Sequence, residues 1–252
     1  ILAATSAVAA PRSAAAIGTD NAWSSLGTIK AGRSTAAEAT PFFSSSSNVF
    51  FASDSGGVYR SIDSGESFME RNVGLQDLRV ASLGVSPRFE FDELVFASTP
   101  TGLYRSTNGA LSWAKVQGGL PATDVGKVVF ATDFESSKTV FVPTNGFGLY
   151  RSDDAGASWS NVSNNLSLTG LTGVQVTSGN SGNTIILTWS ESQVFRSDDS
   201  GANWIEKKVG LPDDITIKFV HFGPRFAVDG LALLGSSSKG VYKTTNQGDN
   251  WT

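Results

Sequence analysis

Ser152-Asp153-Asp154-Ala155-Gly156-Ala157-Ser158-Trp159, entered directly from Gly148-Leu149-Tyr150-Arg151, is the stretch on which the fold turns. The upstream residues read as a short strand bounded by a glycine. The downstream residues read as a tight turn. The Asp accepts hydrogen bonds from turn amides, the Gly supplies positive φ without a Cβ clash, and the Trp packs under the turn to pin the hairpin.

The same pattern recurs along the chain. It is found from Gly57-Val58-Tyr59-Arg60-Ser61 to Phe68, from Gly102-Leu103-Tyr104-Arg105-Ser106 to Trp113, from Gln193-Val194-Phe195-Arg196-Ser197 to Trp204, and from Gly240-Val241-Tyr242-Lys243-Thr244 to Trp251. The closing aromatics at 68, 113, 159, 204 and 251 are 45, 46, 45 and 47 residues apart, and Trp23 lies a further 45 residues upstream as the mark of a degenerate earlier copy. Upstream of each hairpin lie two more β-rich runs, such as Val80 to Pro87 and Leu94 to Thr99, so each unit reads as four short strands. A four-stranded unit of about 45 residues cannot bury both of its faces alone, and radial stacking of such units as propeller blades buries both. The expected fold is therefore all-β, a β-propeller with five visible repeats and a degenerate N-terminal part. No stretch carries helical periodicity over a useful length.

These segments resemble the Asp-box, or BNR, repeat Ser-x-Asp-x-Gly-x-x-Trp. Two copies match fully, Ser152 to Trp159 and Ser197 to Trp204. Phe68 replaces Trp in the first, the second has Asn108 with its Gly one place early, and the fifth carries Thr244 and Asn246. Asp63, Asn108, Asp154, Asp199 and Asn246 are thus expected to be structural, and Arg60, Arg105, Arg151 and Arg196, present in successive units, are expected to serve the blade. The resemblance is to a family that includes sialidases, xyloglucan-type glycoside hydrolases, sortilin-like receptor domains and photosystem assembly factors, and it carries fold better than activity. A sialidase would need a Phe/Tyr-Arg-Ile-Pro motif, which Pro11-Arg12 and Pro87-Arg88 do not match.

Strand alternation puts the first-to-second strand turns, such as 132–137, at the same end as the Asp-boxes. The opposite end carries the second-to-third strand turns and the connections between blades, and the resemblance implies that ligands bind there. Residues that break the repeat on that face are the candidates: Asn145 and Phe147 in an insertion, Trp189 where an earlier copy has Ser98, Glu191 after it, Asp54 in the equivalent turn, and Asp77, Asp124, Asp213 and Asp214 in the connections. An aromatic beside carboxylates and amides suits a sugar ring and its hydroxyls; the plainer reading is a solvated polar rim with a partly buried Trp. His221 lies in a first strand, either facing the channel or packed.

Composition narrows the function classes. The chain of 252 residues is 40% hydrophobic and 17% charged, which supports a core. Its net charge of −4, with cations scattered, offers no footprint for nucleic acid. Without cysteine and with one histidine, it has no thiolate or histidine-cluster metal site, and no cofactor is implied. Residues 1–22 read as an Ala/Ser-rich leader or a partial blade, too short for a membrane span, and residues 23–252 as the repeats. The leader-like start fits a secreted or extracytoplasmic setting, and the sequons at Asn161, Asn165 and Asn250 matter only in a eukaryotic secretory route, being common by chance in a Ser/Thr-rich chain. The chain stops at Thr252 inside the fifth hairpin, which is expected either of a ring closed by the N-terminal residues or of a piece of a longer propeller, and membership of a larger assembly stays open. The expected function is a non-catalytic interaction or structural module with a protein or glycan partner. The alternative is a glycoside-hydrolase-like enzyme on an extracellular polysaccharide, which would need two carboxylates across the scissile bond.

Overall fold

The computed structural model describes residues 32–40, 47–164, 166, 170–178, 184–223 and 225–252. Trp23, the 1–22 segment, Asn165 and Pro224 lie outside the described residues. The described chain is five antiparallel sheets in sequence order. The first holds β1 (Ser34–Ala39), β2 (Val49–Ser53), β3 (Gly57–Ser61) and β4 (Met69–Glu70); the second holds β5 (Ser82–Val85), β6 (Val95–Thr99), β7 (Gly102–Ser106) and β8 (Ala114–Lys115). The third holds β9 (Val129–Phe130), β10 (Val140–Thr144), β11 (Gly148–Ser152) and β12 (Ser160–Asn161); the fourth holds β13 (Gly173–Ser178), β14 (Thr184–Trp189), β15 (Val194–Ser197) and β16 (Ile205–Glu206). The fifth has β17 (Ile217–Phe222), β18 (Leu231–Ser236) and β19 (Val241–Thr245), beside which Thr252 exchanges two backbone hydrogen bonds with Lys243. Every sheet is a meander in which neighbours in sequence are neighbours in space, as the repeat requires. This is the blade architecture of a β-propeller.

The cores lie between blades, because each sheet is apolar on both faces. Phe50, Ala52 and Val58 of the first blade pack with Val80, Leu83, Phe89, Tyr104 and Trp113 of the second. Phe96 and Leu103 pack with Val128, Phe134, Val140 and Trp159 of the third, and Phe141 and Leu149 pack with Val174, Phe195 and Trp204 of the fourth. Ile185, Leu187 and Val194 pack with Val220, Phe226, Leu234 and Trp251 of the fifth. Each fully buried aliphatic or Phe side chain contributes about 1.5–3 kcal/mol.

The first-to-second strand turns of the second, third and fifth blades contain single-turn helices: α1 (Phe89–Asp92), α2 (Phe134–Ser137) and α3 (Phe226–Asp229). Each begins with a buried Phe and ends on a left-handed residue, Glu93, Lys138 or Gly230. The carbonyl of that residue accepts from the following turn, through the amides of Gly109, Ala155 and Gln247. The helices therefore sit at the end of the blade that carries the Ser-x-Asp turns.

Candidate functional site

The five Ser-x-Asp turns share one internal geometry. In the third blade the Ser152 hydroxyl donates to Asp154 (2.7 Å) and accepts from the Gly156 amide (2.8 Å), while Asp154 accepts from the Ser158 amide (2.8 Å) and hydroxyl (2.6 Å). Asp63 and Asp199 repeat this arrangement, and Asn108 and Asn246 reproduce the amide contacts through their side-chain oxygens. The hydroxyl of Ser61 and the Ser67 hydroxyl and amide pull the Asp63 carboxyl down to about 2. Partial burial opposes the same shift at Asp154, but donors from Ser158, Ser152 and Ala157 outweigh it and leave Asp154 at about 2. Carboxylates held this way are turn acceptors rather than proton donors or acceptors for chemistry. In the second copy the early glycine is accommodated because two successive residues are left-handed, Gly109 (φ 65°) and Ala110 (φ 68°), where the third blade has Ala155 (57°) and Gly156 (82°).

The repeated arginines and tryptophans join neighbouring blades. Arg60 donates to the Gly109 carbonyl (2.9 Å), Arg105 to Ala155 (2.9 Å), Arg151 to Ser200 (3.2 Å) and Arg196 to Gln247 (2.7 Å), each reaching forward to the next turn. In the other direction, the indole of Trp113 donates to the Arg71 carbonyl (2.7 Å), Trp204 to Val162 (2.9 Å) and Trp251 to Lys207 (3.1 Å). Trp159 instead donates within its own turn, to Gly156 (3.2 Å). The Trp159 hydrogen bond stays within its own turn, whereas those of Trp113, Trp204 and Trp251 anchor to the preceding blade; all four rings lie in the core shared with that blade.

The opposite face holds a cavity of about 530 Å³ between the third and fourth blades, lined by Asn145, Gly146, Gly170, Thr172, Ser190, Glu191 and Ser192. Two turns and a connection build it. Asn145 is fixed by its amide, which donates to the Asp124 carbonyl (2.9 Å), so Asp124 stands beside it. Ser190 holds the 190–193 turn by accepting from the Ser192 (3.4 Å) and Gln193 (3.2 Å) amides, and the Glu191 carbonyl accepts from Ile217 (2.6 Å) of the next blade. Thr172 closes the floor through its amide to the Trp189 carbonyl (2.8 Å). Phe147 is 51% exposed on the Asn145 turn, and its carbonyl accepts from the Asn161 side chain (2.7 Å).

The sequence candidates thus divide. Asn145 and Glu191 line one cleft, and Asp124 and Phe147 border Asn145. Trp189 lies below it, 6% exposed within the core between the fourth and fifth blades, its ring over Gly173 and its indole nitrogen buried without an acceptor. At 6% exposure the ring is largely enclosed, and it does not line this cleft. Asp54 pairs with Arg33 (3.4 Å). Asp77 is held by both nitrogens of the Arg79 fork (3.0 and 2.9 Å), whose hydrogen bonds lower its pKa despite burial. Asp213 pairs with Lys208 and Asp214 with Lys239, each at 2.7 Å. Thr172, Ser190 and Ser192 were not singled out from the sequence, because serine and threonine are too common in this chain to stand out. His221 is exposed on β17, 6.1 Å from the Phe219 ring, and borders, with Lys127, Gln175 and Trp189, a second cavity of about 250 Å³ that shares Thr172 with the cleft. Among the described residues there is no cluster of metal-ligating side chains, and no helix is long and apolar enough to cross a membrane.

No protein-family model and no curated protein matches the chain. Solved structures do. The GH74 xyloglucanase from Xanthomonas campestris superposes with a TM-score of 0.68 at 18% identity, over 92% of this chain and 39% of that one. The GH74 enzyme from Niastella koreensis gives 0.64 at 16% identity, over 88% of this chain and 37% of the other. YCF48 bound to D1 peptide gives 0.53 at 14%, over 81% and 64%. An extracellular domain from B. thetaiotaomicron gives 0.65 at 13%, over 90% of this chain and 29% of that one. The chain therefore spans about two fifths of the length of the GH74 enzymes it superposes on. At these identities the likeness is one of architecture, and the fold of the chain is that of these β-propeller proteins.

Proposed function

We propose that the chain is a non-catalytic, extracytoplasmic interaction module of the Asp-box type, whose binding site is the cleft between the third and fourth blades. The observation that carries this reading is the convergence of Asn145, Thr172, Ser190, Glu191 and Ser192 from two blades on one cavity, at the end away from the structural turns. The size lies within the range of small-ligand pockets, and the lining is polar, which suits a peptide or glycan segment rather than an apolar molecule. The neighbours include a propeller bound to a peptide and glycan-directed enzymes, which supports both partner classes. The glycoside-hydrolase reading draws on the GH74 likeness, but that chemistry needs a carboxylate pair and the described lining contains one carboxylate, Glu191. The test is binding of the purified chain to glycan and peptide arrays, alongside Asn145→Ala. Ligand capture that Asn145→Ala abolishes, without sugar release, supports the module; hydrolysis of a bound glycan overturns it, as does the absence of any captured ligand.

A further inference from the structure

We infer that this cleft receives a cation, the ammonium group of a lysine side chain on a partner peptide; the inference rests on the cleft being the binding site. Glu191 is exposed on the lining, and among the described residues its carboxylate makes no ion pair or hydrogen bond. That sets it apart on this face. Asp54, Asp77, Asp213 and Asp214 are each neutralised by a neighbouring Arg or Lys. The described lining contains no Lys, Arg or His. Asp124, at the rim, accepts from the Thr123 hydroxyl (2.9 Å) and makes no ion pair among the described residues.

The remaining groups decide which cation fits. An ammonium has three donors and no acceptor, so it needs several separate acceptors around it. The Glu191 carboxylate, the Asn145 side-chain oxygen and the hydroxyls of Thr172 and Ser192 supply them from different walls, while the Ser190 hydroxyl is taken up by the turn amides. A planar guanidinium would take the Glu191 edge through two nitrogens of its rigid fork and leave the acceptors on the other walls unmet, whereas the rotatable donors of an ammonium can reach separate acceptors. Phe147, half exposed on the same turn as Asn145, offers an apolar ledge for residues flanking the lysine, and Gly146 leaves the mouth open, with nothing within 4 Å of where its Cβ would be.

The test is an NMR titration of the isotopically labelled full chain with a blocked Gly-Ser-Lys-Ser-Gly peptide, with the same peptide carrying Nε-acetyllysine, and with an oligomer of glucosamine. The lysine peptide should shift the amides of Asn145, Glu191 and Ser192 to saturation. Acetylation should weaken binding at least tenfold, and so should Glu191→Gln, whose thermal melt should match the wild type. Raising salt from 0.05 to 0.5 M should also weaken it, as the Debye length shrinks below about 8 Å. Equal binding of the two peptides, or tolerance of Glu191→Gln, overturns the inference. Selective binding of the amino sugar overturns the peptide assignment. A neutral array ligand that depends on Asn145 but not on Glu191 would leave the cleft as the site while removing the cation from it, whereas no shift with any ligand would remove both.

Discussion

Arg105 of the second blade donates its Nε hydrogen to the carbonyl of Ala155 in the Ser-x-Asp turn of the third, at 2.9 Å. That contact, repeated at three further junctions, stitches independent sheets into one body, and each arginine reaches the first of two left-handed residues in the next turn. Burial lowers the Arg105 pKa, with the Asp154 and Asp92 charges acting against it, and the group stays charged at neutral pH. Arg105→Met should cost roughly 1–2 kcal/mol, the lower part of the range for a stranded carbonyl because Ala155 keeps some contact with water. The melting temperature, read by calorimetry, should fall by about 2–4 °C per kcal/mol. An unchanged melt would show that the contact adds nothing to stability.

The tryptophans work in the reverse direction, and Trp204 separates ring from donor. Trp204→Phe keeps most of the packing but loses the bond to the Val162 carbonyl, with an expected cost of about 1 kcal/mol. Trp204→Ala also opens the core between the third and fourth blades and should cost about 3–5 kcal/mol. Denaturant unfolding of both variants checks the order, and equal losses would mean that the indole hydrogen bond carries the effect.

Stability should depend on acid through the turn carboxylates. Asp63 and Asp154 titrate at about 2 in the folded chain, below the ordinary value of 3.8. A depressed folded value gives a contribution fully present above about pH 4 that disappears as pH falls towards 2. Asp154→Asn should therefore destabilise at pH 7 and match the wild type near pH 2. Asn108 sets the precedent, since it keeps the amide contact to Ser112 and donates to its hydroxyl (2.9 Å). Parallel melting curves of the two proteins from pH 7 to 2 would refute this account of the turn.

Gly173 and Trp189 are a matched pair across β13 and β14: they are register partners, and a Cβ on Gly173 would lie 2.1 Å from the indole ring. Gly173→Ala should displace the ring and cost about 1–3 kcal/mol, in the range of overpacking a full core. Intrinsic tryptophan fluorescence and the melt report it together, and a variant with both unchanged would show that the ring moves aside freely.

Much of this was legible in the residues because turn chemistry is local. Ser152 to Trp159 spells out its own hydrogen bonds, and the 45–47-residue spacing repeats a unit of four strands. The single-turn helices were not legible, since four residues such as Phe89–Asp92 are too few to show a period. Trp189 illustrates the harder limit. It replaces Ser98 of an earlier copy, but Ser98 is itself 2% exposed, so the change enlarged a core position, with Gly173 opposite in place of Ser82. A repeat reveals that a position differs without revealing which side of the sheet it faces. The cleft joins Asn145 to Glu191, 46 residues apart, through inter-blade packing that no local pattern encodes.

If ligands bind in the cleft between the third and fourth blades, filling that cleft should abolish binding. Ser192 is exposed in the 190–193 turn, so Ser192→Trp should occupy the cavity without disturbing a core. With whichever ligand the arrays identify, isothermal titration should show binding to the wild type and at least a tenfold loss in Ser192→Trp at an unchanged melting temperature. Undiminished binding by a folded Ser192→Trp would contradict the account and move the site elsewhere on the propeller.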